Sequence, residues 1–93
     1  MILPVVFIKV LETSHPRGDR ATSKSPAWKV TVCNGDKEFY PVSGFSCFAD
    51  GYYFDKADAV KWAWQVSNIL GGVPLSLYRA VPNAEPIFVE DFE

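Results

Sequence analysis

FDKADAVKWAWQVSNILGG, residues 54 to 72, is the stretch on which the fold of this chain turns. Asp55 is placed to accept from the first free backbone N–H groups, Asp58 suits the positive helix N-terminus, and Gly71-Gly72 supplies a stop. These signals predict one helix between them. At about 100° per residue, Asp58, Lys61, Gln65 and Asn68 fall in a narrow polar arc. Opposite them lie Ala59, Val60, Ala63, Trp64 and Leu70, the stripe expected to face a sheet, with Trp64 as core. Trp62 falls outside that stripe and stacks with Val66 and Ile69 on its flank, widening the apolar part to roughly two-thirds of the circumference. One sheet does not cover that much. The expectation is that the C-terminal tail folds back, with Ile87, Phe88 or Phe92 reaching Trp62, or that a partner covers the flank.

Working outward, AWKVTVCNGDKEFYPV, residues 27 to 42, places Asn34-Gly35 between two strand-like runs. A two-residue type I′ turn favours that dipeptide because both central residues need positive φ, so a hairpin is expected. That turn would set Cys33 opposite Asp36, Val30 opposite Phe39 and Lys29 opposite Tyr40. Trp28, Val30, Val32 and Phe39 would then share one face, and Lys29, Thr31, Glu38 and Tyr40 the other. Pro41 cannot donate to a ladder and ends the second strand or lies at an edge. The opening run, Ile2 to Leu11, is apolar on both alternating faces. Val6, Ile8 and Val10 line one and Leu3, Val5 and Phe7 the other, which predicts a central strand covered on both sides. Residues 73 to 81, VPLSLYRAV, alternate as a strand near an edge because of Pro74. The segment SGFSCFADGYY, residues 43 to 53, fits either an irregular loop or a short hairpin about Asp50-Gly51, with Phe45 to Phe48 pairing Tyr52 to Phe54.

The expected fold is therefore α+β: a small antiparallel sheet of three to five strands packed on one α-helix, in the order β-β-β-α-β. With 93 residues the chain has room for one core. It reads as a single domain over 1–93, with a polar, basic loop at 13–26 and an acidic tail at 82–93. At 48% hydrophobic residues and a net charge of −2 it belongs with folded globular chains rather than disordered ones. Cys33 and Cys47 show neither a disulfide framework nor CxxC spacing, and both are read as reduced thiols. The apolar opening lacks a charged leader and a cleavage site, and Lys9 interrupts it. A cytoplasmic protein is expected, neither secreted nor inserted in a membrane; if phage-encoded, it would act in the host cytoplasm.

Charge is unevenly spread. Arg17, Arg20, Lys24 and Lys29 against Asp19 give residues 13 to 29 a net of +3, leaving −5 for the rest of a chain whose total is −2. The last nine residues hold Glu85, Glu90, Asp91 and Glu93 and no basic residue. Catalysis finds no constellation. The single histidine, His15, falls in the loop expected to be the most mobile, neither cysteine has an activating histidine, and ILGGVP lacks the Lys-Ser/Thr of a phosphate loop. No cofactor and no metal are expected. RGD, residues 17 to 19, is a three-residue match without a secretory signal.

Two local resemblances can be stated. WKVTVCNGDKEF followed by YFDKADAVKW resembles the strand, turn, strand, helix order of AP2-like arm-binding domains of phage integrases, through Trp28, Gly35, Phe54, Ala57, Ala59 and Trp62. It implies a shared way of building a hairpin-helix layer. It does not imply DNA binding, because the face with Lys29, Thr31, Glu38 and Tyr40 is nearly neutral. VEDFE, residues 89 to 93, resembles the acidic tails of single-stranded-DNA-binding proteins.

The expected function is a non-enzymatic protein-binding module that occludes or modulates a macromolecular partner. In type it is similar to phage or mobile-element inhibitors of host machinery, anti-CRISPR proteins included. Its contact residues would be Trp62, Val66, Ile69, Phe45, Phe48, Tyr52 and Tyr53, with Arg17, Arg20, Lys24, Lys29, Glu90 and Asp91 steering the encounter. The alternative is a single-stranded nucleic-acid binder using the basic loop and exposed aromatics. A homodimer, covering what one helix leaves bare, is the third arrangement open to this sequence.

Overall fold

The two longest strands, β1 (Val6–Pro16) and β2 (Lys24–Asn34), pair antiparallel along their whole length, from Val6 opposite Asn34 to Pro16 opposite Lys24. The computed structural model describes residues 6–16, 24–35, 37–44, 47 and 50–92. Both ends of the expected loop at 13–26 are thus ladder. Pairing of β1 with β5 (Leu75–Arg79) stops at Glu12 opposite Arg79, so the rungs from Thr13 to Pro16 form a ribbon without a third strand on the β1 side. Ser14, Pro16, Lys24 and Pro26 are exposed there. Backbone hydrogen bonds carry such a ribbon, and they leave no apolar period to read.

The outer edge of β2 is divided between two short strands. β3 (Lys37–Pro41) pairs with Asn34 to Thr31, and β4 (Tyr52–Tyr53) with Lys29 and Trp28. Between them the Val30 N–H donates to the Gly51 carbonyl at 2.8 Å and the Val30 carbonyl accepts from the Val42 N–H at 2.8 Å, so no rung of this stretch is orphaned. The hairpin exists, but its register differs from expectation. Asn34 faces Lys37 and Cys33 faces Glu38; after a shift between Val32 and Cys33, Val32 faces Tyr40 and Thr31 faces Pro41, leaving Phe39 as the extra residue of a bulge. Tyr52 and Tyr53 pair with β2, whereas positions 45 and 48, their expected partners, lie outside the described residues.

The helix α1 (Lys56–Ile69) begins and ends as its sequence requires. Asp55 Oδ1 accepts from the Ala57 N–H at 2.9 Å. At the other end the Gly72 N–H donates to the Ser67 carbonyl at 2.7 Å and the Gly71 N–H to the Asn68 carbonyl at 3.2 Å. This is a Schellman closure, and its φ values of 90° and 91° favour glycine. α1 bridges β4 and β5, and β5 returns parallel to β1, so the sheet is mixed rather than antiparallel. A helical crossover between strands of one sheet produces this arrangement. β6 (Ile87–Phe92) closes the order β3-β2-β1-β5-β6, antiparallel to β5, so half of the acidic tail is an edge strand.

Between α1 and the sheet lies a core of Ile8, Val10, Val30, Val32, Val42, Tyr53, Leu75 and Leu77 against Ala59 and Ala63. The helix residues that bury fully are Ala59, Ala63 and Ser67, small side chains on one line. Trp62 and Val66 flank that line on one side, Val60 and Trp64 on the other, all half-buried. Trp64 is therefore a half-buried flanking residue packed against the core, not a fully buried member of it. A small-residue line lets the helix lie close to the strands while each indole reaches down beside it.

Candidate functional site

α1 covers one face of the sheet. Side chains alternating with the core residues point to the other face: Phe7, Lys9 and Leu11 on β1, Lys29, Thr31 and Cys33 on β2, and Ser76 and Tyr78 on β5. No described helix or strand packs over them, although Thr31, Cys33 and Ser76 are buried and Phe7, Lys9, Leu11 and Tyr78 half-buried among their neighbours. The thinnest dimension of the molecule is 21 Å, which suits one sheet and one helix at the usual layer spacing of about 10 Å. The first strand, expected to be covered on both faces, is covered by described residues on one.

Across this open face runs a row of rings. The Phe7 and Tyr78 centroids are 6.3 Å apart and those of Tyr78 and Phe88 5.7 Å, both pairs tilted, so the row spans β1, β5 and β6. Beside it opens a hollow of about 530 Å³, with Phe7 and Tyr78 on its wall, Lys9, Glu38 and Glu85 around it, and buried Cys33 lining it from β2. Lys9 Nζ lies 3.5 Å from Glu38 Oε1. Burial pushes the Cys33 thiol up from its ordinary value, an effect that nearby Lys9 partly opposes. A thiol in that state is a weak nucleophile. Glu38 also borders a smaller recess of about 150 Å³ formed with Lys29, Thr31, Phe39 and Tyr40. Thr31 is 2% exposed, and its hydroxyl has no hydrogen-bond partner. At the far end of the face Tyr52 lies between His15, 4.7 Å away by ring centroids, and the Lys29 ammonium, 5.4 Å from its centroid.

The contact residues expected from sequence do not converge. Trp62 packs into the core cluster and against Gly44, where a Cβ would overlap the indole. Lys61 Nζ lies 5.9 Å from the Trp62 ring centroid. The Trp62 flank is thus covered in part by the segment after β3, a cover not among those expected; the tail instead contributes Phe92, which packs on the core as part of β6. Val66 is half-buried and Ile69 is 79% exposed. Tyr53 is fully buried and its hydroxyl donates to the Val42 carbonyl at 2.8 Å, so it presents no surface. Asp91 accepts from the Ser76 hydroxyl at 2.8 Å, Glu90 is exposed opposite Leu77, and Lys24 lies at the ribbon end. Arg17, Arg20, Phe45 and Phe48 are outside the described residues.

Phe7, Tyr78, Phe88, Glu38, Glu85 and Thr31, which frame the open face, were not among those expected contacts. The one signal for them is the two-sided apolarity of the first strand. Among the described residues no three His, Cys, Asp or Glu side chains group as a metal site, and no helix is long and apolar enough to cross a membrane. No family model matches the chain, and no curated protein or solved structure matches it.

Proposed function

We propose that this chain is a non-enzymatic protein-binding module whose contact surface is the open face of the sheet and its β6 border. The observation that carries the reading is the Phe7, Tyr78, Phe88 row beside a hollow, on a face over which no described helix or strand packs. Tilted rings bordered by paired charges make an apolar centre with a polar rim, the composition of a protein contact. Phe88 carries the patch onto an edge strand, flanked there by exposed Ile87 and Val89, whose outer backbone groups have no partner strand among the described residues. Such a module acts by occupying its partner's surface, in the manner of an inhibitor. The helix flank is the weaker candidate, because Trp62 is already engaged there.

Two substitutions discriminate these surfaces. The open-face reading expects Phe88→Ser to abolish retention of a partner that Ile69→Ser still retains, both variants being compared as folded proteins. The reverse pattern would return the contact to the helix. The nucleic-acid reading is tested by titrating labelled single-stranded oligonucleotide at low and moderate salt, where the open-face reading expects no binding.

A further inference from the structure

The hollow has a chemical bias that narrows what the partner can insert. Lys9 is the one cation among its lining residues, and Glu38 engages it at 3.5 Å. Glu85, also lining it, is in no ion pair among the described residues. The balance is one uncompensated carboxylate against two aromatic rings. An anion would meet Glu85 and find Lys9 taken. A planar cation would stack on a ring while donating to the carboxylate, which is the combination guanidinium supplies and ammonium supplies less well. The second, independent observation is the Thr31 hydroxyl, buried and unpartnered in the recess that shares Glu38 with the hollow. An orphaned hydroxyl in that position costs stability until something bonds to it. A peptide group of an occupant lying across both depressions would do so once exposed Phe39 or Tyr40, which also line the recess, turns aside with the Lys9–Glu38 pair left in place.

Resting on the open-face reading above, we infer that the hollow receives the arginine side chain of an extended protein segment. Its guanidinium would sit against Phe7 and Tyr78 with Glu85 as counter-ion, and a backbone group of the same segment would reach Thr31. The probes are capped peptides of alternating serine and valine with arginine, citrulline or glutamate at the centre, titrated into the full chain and followed by the NMR signals of the Tyr78 ring. The arginine peptide should bind saturably and about tenfold more tightly than the citrulline peptide, as expected when a charge-assisted hydrogen bond is lost. Glu85→Gln should remove that difference. Thr31→Val, which deletes the hydroxyl at constant shape, should weaken all three peptides while leaving the unbound protein at least as resistant to urea. Equal binding of arginine and citrulline peptides, preference for glutamate, or no saturation would each overturn the inference. If Phe88→Ser still abolishes partner retention in any of those cases, the open-face reading survives and only the arginine assignment falls.

Discussion

Gly44→Ala is the substitution that most directly tests how the helix is seated. A methyl group at position 44 would overlap Cγ, Cδ2 and Cε2 of Trp62, the rigid indole rather than the end of a flexible chain. Gly44 is not among the glycines with positive φ, so alanine brings no backbone strain there and the cost is steric. Overpacking of this kind costs about 1–3 kcal/mol. Restricting the unfolded chain returns about 0.4–1 kcal/mol. The net expectation is a loss of about 1–2 kcal/mol, or about 5–15 °C in Tm for a chain of this size. Trp62→Ala alone should cost about 2–4 kcal/mol, near the lower end for a large aromatic because the indole is only half-buried. The decisive measurement is a double-mutant cycle by urea denaturation. With Trp62 already alanine, Gly44→Ala should be neutral or slightly stabilising. If the full cost of Gly44→Ala persists in that background, Trp62 is not seated on Gly44 and the account of the flank is wrong.

Two further outcomes follow from buried and capping groups. Burial pushes the Tyr53 hydroxyl from 10.0 up to about 12, so the unfolded chain ionises first as pH rises. The stabilisation is complete below pH 10, and about 2 kcal/mol of it should be lost by about pH 12. Tyr53→Phe, which removes the bond to the Val42 carbonyl, should be less stable by about 1 kcal/mol at neutral pH. It should also lack this part of the alkaline loss, and parallel stability-pH curves for the two proteins would refute the assignment. Asp55→Ala should cost about 1 kcal/mol by urea denaturation, with Asp55→Asn restoring most of it, since either side chain can accept from the Ala57 N–H.

Local chemistry was legible in the sequence, and non-local pairing was not. Asp55 and Gly71-Gly72 act on backbone groups within a few residues, and the helix runs between them as expected. Asn34-Gly35 likewise announced a hairpin, but its register is fixed from outside: Val30 is bonded to Gly51 and Val42, and Phe39 bulges so that the strand can meet those constraints. IFVEDF reads as a tail because three apolar residues in a row and two adjacent acids break alternation. It becomes a strand because β5 has a free edge and Phe92 a place against the core. The parallel pairing of β1 with β5 depends on which strands the helix bridges, a fact of topology that no local pattern carries.

The helix itself shows why its flank is not surplus apolar surface. Angular placement puts Trp64 in the buried stripe as core, but the line of closest approach is set by size. Ala59, Ala63 and Ser67 allow the backbone near the strands, and the two tryptophans, about 100° to either side of Ala63, seal the helix-sheet junction from both flanks. Apolar surface that looked surplus on one helix is therefore largely used within its own layer, with Ile69 and Leu70 left bare at the C-terminal end. What the layer cannot use is the opposite side of the strands. Phe7 and Tyr78 alternate strictly with the core residues of β1 and β5, so the same pleat that buries Ile8 and Leu77 turns these rings outward. Phe7 and Tyr78 thus stand among Lys9, Lys29, Thr31 and Ser76 on the face away from the helix, which is where the proposed contact is placed.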